Sequence, residues 1–265
     1  MNLPAAVYPV ARVAPNLRHA CGGVWRLTFR KFSRPQQALV FLGVFTLLGL
    51  LEFAAVRDGR PRVFSEWTTR FYLTFLVPLS AFLAGASALR DEMKAGSADY
   101  VLTRPVPRPA FVVFQFFSHL VCVQILGLIA LAVIVGVSQL RHIPGVGAVV
   151  PAMLLAQVLA ITAFTAFGFL CGVLTSRFLI VGLFYAAVIE IGLGRIPTQI
   201  NQLSITRRLL DYLVPLMPAA VPVTVPPPGA WATAMPLVLF SLAMLGVATA
   251  VFSLREIIGE SARDT

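Results

Sequence analysis

Two acidic residues stand inside apolar runs of this 265-residue chain, Glu52 in GLLEFAA and Glu190 in AAVIEIGLGRIP. A carboxylate in such a setting is expensive to bury, so its default reading is functional: a proton or cation site, a pathway or gating residue, or a group held for a specific partner. Each also has a plainer reading. Glu190 lies five residues before Arg195, where it would be solvated or paired with arginine near the membrane boundary, and Glu52, late in its own run, admits the same description. Other chemistry is scarce. His19, His119 and His142 lie far from one another and from acidic residues at metal-ligand spacing, so no metal site is expected. Cys21, Cys122 and Cys171 are odd in number, widely spaced and set in apolar segments, which suits buried small residues better than disulfides or ligands. The two lysines, Lys31 and Lys94, are followed by Phe and Ala, so the sequence has no G-x-x-x-x-G-K-[ST] phosphate loop, and it has no G-x-S-x-G elbow. No catalytic residue is expected, and any ATP chemistry would belong to a partner.

The elements that position these residues follow from composition. With 58% hydrophobic and 12% charged residues, the chain carries more apolar surface than a water-soluble domain of its size could bury. A hydrocarbon core of roughly 30 Å needs about 20 apolar helical residues. Six runs approach or exceed that length, at 36–56, 70–89, 110–138, 148–175, 178–196 and 231–254. The runs are unbroken rather than alternating, which predicts helices and excludes a barrel. Residues 1–35 form a segment before the spans, 36–254 the six-span domain and 255–265 a tail. No cleavable signal peptide is expected before the first run.

The net charge of +10 comes from arginines clustered between the runs. That pattern suits lipid headgroups and argues against nucleic acid. With the N-terminus in the cytoplasm, 13 Lys and Arg fall inside and eight outside, which favours both termini in the cytoplasm. Residues 17–34, LRHACGGVWRLTFRKFSR, place Leu17, Cys21, Val24, Trp25 and Phe32 on one helical arc and Arg26, Arg30 and Arg34 opposite. This predicts an amphipathic helix at the membrane interface, Trp25 toward the acyl boundary and Arg26, Arg30 and Arg34 toward phosphates. The outer loop 197–229 carries LSITRRLLDYLVPLM, read as a short surface helix, then a proline-dense stretch. Ala81 with Gly85, and Gly168 with Gly172, have the four-residue spacing of small residues that lets membrane helices approach closely.

The loop 90–108 is the most distinctive segment. Gly96 breaks the helix leaving the second span, Ser97 can cap a new one, and Pro105 stops it after about two turns. In order it reads Asp91, Glu92, Gly96, Ser97, Tyr100, Val101, Leu102, Arg104, Pro105, Val106 and Arg108. This resembles the permeases of ABC-2 type ATP-binding-cassette transporters, in which a charged stretch and a Gly-Ser or Gly-Thr pair precede a small apolar helix and a Pro-Val-x-Arg turn. Glu190 followed by Pro197 and LSITRRLL is a second point of similarity.

The resemblance implies an all-α membrane protein of six transmembrane helices, with an N-terminal interfacial helix and a cytoplasmic coupling helix between spans 2 and 3. It implies a permease subunit of an exporter in a bacterial inner membrane, paired with a second identical or related permease. Two separate ATPase subunits would carry ATP and Mg, and this chain would bind no cofactor. Asp91, Glu92, Gly96, Ser97, Tyr100, Val101, Leu102, Arg104, Pro105 and Arg108 would form the ATPase-coupling surface. The rival expectation is an ion-coupled secondary carrier that uses Glu52 and Glu190; the sequence shows none of the internal repeat common in such carriers.

Overall fold

The computed structural model describes residues 17–90, 107–195, 199–217 and 228–254; nearly all of them are helical and none is in a strand. Helix α1 spans Leu17–Phe32 and α2 spans Pro35–Ala55. Arg34, expected on the polar face of the first helix, is instead the extended residue before Pro35. Proline at the first helical position loses no hydrogen bond, which is why the chain restarts there. Gly22 and Gly23 are accommodated inside α1.

Helix α3 spans Pro61–Arg90, again opened by proline. It begins well before the expected residue 70, so Arg62 and Glu66 are helical rather than in a loop, and the α2–α3 connection shrinks to a tight turn with Gly59 at φ +64. Polar residues hold this extension: Arg62 reaches Glu66 one turn on at 3.2 Å, and the hydroxyls of Ser65 and Thr69 donate to the carbonyls of Pro61 and Ser65. Residues Trp67–Leu76 form a π-helical stretch within α3.

Helices α4 and α5 span Arg108–Leu140 and Val146–Leu174. A turn with left-handed His142 and Gly145 separates them. Helix α6 spans Phe178–Gly192, α7 Ile205–Leu213 and α8 Ala230–Leu254. Five of these, α2, α3, α4, α5 and α8, are long and apolar enough to cross a bilayer. The run expected as a further span at 178–196 is α6, whose eight α-helical and seven π-helical residues reach about 22 Å.

The centre of the bundle is the seam between α3 and α5. A Cβ at Gly85 would collide with the carbonyl of Thr165, and one at Gly168 or Gly172 with the carbonyl of Phe82 or Ala86. Backbone therefore lies on backbone, as the four-residue spacing of small residues led one to expect. Beside that seam a core of Leu89, Val112, Phe116, Phe169, Val173 and Phe252 joins α3, α4, α5 and α8. Helix α1 lies along α4, tied by a buried Thr28–Ser118 hydrogen bond of 2.9 Å and by Phe32 edge-on to His119.

Candidate functional site

Three places concentrate polar groups in this apolar bundle. The first is the base of the 90–108 loop. Residues 91–106, which carry nine of the ten residues expected to couple to an ATPase, lie outside the described residues. What is described is how the loop is anchored. Arg90 ends α3, its guanidinium donates to the carbonyl of Ser176, and it lies 5.4 Å from the centre of the Phe178 ring. Arg108 opens α4 after Pro107, with its side chain exposed. Two turns further in, Gln115 Nε2 donates to the carbonyl of Ala88 at 3.1 Å, and Leu89 and Val112 are both fully buried. An amide hydrogen bond in an apolar setting leaves few alternatives for either group, so it fixes the end of α3 against the start of α4.

The second place is Glu190. Its carboxylate accepts from Tyr185 Oη at 3.0 Å, Ser204 Oγ at 2.6 Å, Ile205 N at 3.1 Å and Thr206 N at 3.0 Å. Ser204 is itself the N-cap of α7, accepting from Arg207 N at 3.0 Å. Glu190 thus supplies negative charge and acceptors where the first turn of α7 presents unpaired N–H groups and the positive end of its dipole. Charge-assisted bonds of this kind are the strong ones. The carboxylate is half-buried, and the arrangement is a brace between α6 and α7. LSITRRLL forms the short helix expected there, with Ile205, Leu209 and Leu213 buried and Arg207 paired to Asp211 at 2.9 Å.

The third place is Glu52. It is 0% exposed, and neither carboxylate oxygen has a hydrogen-bond partner among the described residues. Close by in the bundle, Tyr72 of the π stretch donates its hydroxyl to Gln157 Oε1 of α5 and approaches the carbonyl of Gly127 of α4 at 3.4 Å. Gln157 Nε2 and Thr68 Oγ1 are likewise buried without a partner among the described residues. Arg141 closes this end of the bundle, donating to the carbonyl of Phe53 at 2.9 Å with its guanidinium 3.4 Å from the Phe53 ring centre. Cation on carbonyl at a helix C-terminus satisfies an orphan acceptor of α2.

A family model described as ABC-2 family transporter protein matches residues 14–257 of this helical chain. The chain belongs to that family. No curated protein matches it. As an ABC-2 family transporter protein it is a multi-pass membrane permease of an ABC transporter, a kind of subunit that is typically non-catalytic and works with ABC ATPase subunits.

In this ABC-2 family chain the structure brings some expected residues into defined settings and leaves others apart. Glu52 and Glu190 lie in separate environments: among the described residues the first has no hydrogen-bond partner and the second has four donors. Trp25 stacks on Phe29 in α1, and Arg26 and Arg30 are exposed there. Among the described residues no group of three His, Cys, Asp or Glu side chains could hold a metal ion. Sequence reasoning passed over Tyr72, Gln115 and Gln157, the residues that tie α3, α4 and α5 together. The signal was present: three amide or hydroxyl side chains inside otherwise apolar runs, where burial demands a partner.

Proposed function

We propose that this chain is the permease subunit of an ABC exporter, moving substrate across or out of a bacterial cytoplasmic membrane by alternating access. On this reading α6 is the fifth of six crossings, both termini are cytoplasmic, and α1 lies at the cytoplasmic interface. Residues 97–103 form a coupling helix that docks on one of two ATPase subunits, its apolar edge made by Val101 and Leu102. A second permease copy, identical or related, completes the path. ATP and Mg are held by the ATPases.

The observation that supports this reading best is the anchoring of the loop's two ends. Gln115 pins α4 to Ala88 of α3, and α3 is sealed to α5 by Gly85, Gly168 and Gly172. A push delivered at residues 91–106 would therefore reach the centre of the bundle without being absorbed by a slack joint. A nucleotide can shift the inward–outward equilibrium only through such a rigid connection, because it must bind one form better than the other.

The test is reconstitution with the ATPase that co-purifies with the chain. Val101→Asp with Leu102→Asp should abolish nucleotide-driven transport and ATPase binding while the membrane helices stay folded, judged by an unchanged elution profile. Transport by the purified chain alone under an ion gradient would overturn the proposal in favour of the carrier reading. The carboxylate of Glu52, without a hydrogen-bond partner among the described residues, favours that rival, whereas Glu190, with its bonds spent on Tyr185 and the first turn of α7, does not.

A further inference from the structure

Between α2, α3 and α4 runs a cavity of about 420 Å³ that the transport reading does not use. Its walls change character along its length. At one end stand Lys31, Gln37, Ser87 and His119, beside α1; further in the lining is Phe45, Leu48, Leu76, Val123 and Ala130. The stretch of α4 from His119 to Ala130 sets the length at about 16 Å. That volume over that length leaves room for an extended hydrocarbon chain. Val40 and Val44 line the cavity and are also exposed, so it is continuous with the lipid-facing surface of α2.

The polar end is chemically specific. Gln37 Oε1 is buried and has no hydrogen-bond partner among the described residues, although it lines the cavity. A buried amide acceptor of this kind asks for a donor from an occupant. Lys31 is also in the lining, and Arg30, in the last turn of α1, and Arg34, just before α2, are exposed. Cationic groups at one end of an apolar shaft match an anionic headgroup on an acyl chain.

We infer that this cavity is a binding site for an anionic phospholipid of the surrounding membrane, one acyl chain lying between α2, α3 and α4. The phosphate sits at Lys31, and a headgroup hydroxyl donates to Gln37 Oε1. The site does not depend on the exporter reading, because a resident lipid would occupy it whether or not the chain exports anything.

The test uses the full chain in nanodiscs of phosphatidylcholine containing a small fraction of phosphatidylglycerol with a photoreactive acyl chain. Labelling should concentrate on residues 41–48 and 123–130, several-fold above the lipid-exposed face of α8. Ser80→Phe and Val44→Trp, both at exposed positions that line the cavity, should each cut labelling at least five-fold with an unchanged elution profile. Lys31→Gln should reduce the preference over a photoreactive phosphatidylcholine probe about five-fold. Equal labelling on α8, equal labelling by the two probes in the unaltered chain, or insensitivity to both filling substitutions would each overturn the assignment.

Discussion

The α3–α5 seam and helix α2 are both apolar and both long enough to span, yet they are built on opposite terms. In the most apolar stretch of α5, 56% of residues are buried within the protein, and in α2 only 11%. In a bilayer that contrast has no hydrophobic origin, because lipid tails are as apolar as leucine. What holds α3 to α5 is close packing of backbones and a few polar bonds; the glycines of α2 meet no neighbouring backbone, and α2 rests mainly on α4, with Arg141 on the Phe53 carbonyl, showing Leu39, Leu42, Leu47 and Leu50 outward. The permease thus has a rigid half and a lightly attached one. Conformational change and lipid access are easiest to accommodate on the α2 side.

The largest break in this contrast should come from Gly168→Leu, which drives a side chain into the Phe82 carbonyl. It should cost about 3 kcal/mol or more, read as a loss of the folded monodisperse species in detergent. The matching change on α2, Gly43→Leu, meets nothing within 4 Å and should leave stability level or slightly raised. Next is Glu190→Ala, which removes the acceptor of four donors and should cost about 3 kcal/mol; protease should then cut first within 199–217. Tyr72→Phe removes the hydroxyl shared by α3, α4 and α5 and should cost about 1 kcal/mol, measured by thermal unfolding. Smallest on stability is Glu52→Leu, expected to be neutral or stabilising because it replaces a partnerless buried acid by an apolar group. If Glu52 is a pathway residue, the same variant loses transport at least ten-fold while the protein stays folded. Unchanged transport would remove it from the pathway.

Much of this contrast was written in the sequence. Unbroken apolar runs marked the long helices, and Ala81, Gly85, Gly168 and Gly172 marked the seam. The start of α3 was misplaced because Arg62, Glu66 and Thr69 look like loop residues in a hydropathy reading; local bonds along the helix keep them wound. Glu52 and Glu190 looked alike because run position fixes depth and says little about partners. Only the return of the chain at Ser204 brings two backbone N–H groups onto Glu190, a relation between residues 14 to 16 positions apart that no periodicity encodes. The loop 91–106 remained the strongest signal for function in the sequence.

The Glu190 brace also constrains how the far side of the protein can move. One carboxylate grips the tip of α6 and the first turn of α7 together, so Glu190 and residues 204–206 are tied to move as one. Ser204 is fastened on both sides, donating to Glu190 and accepting from Arg207 N. If α6 tilts during a transport cycle, α7 must ride with it, and the amphipathic face of Ile205, Leu209 and Leu213 must slide over its bed on α5. A permease built this way passes a shift of α6 directly to the amphipathic helix that follows it, without needing a separate sensor.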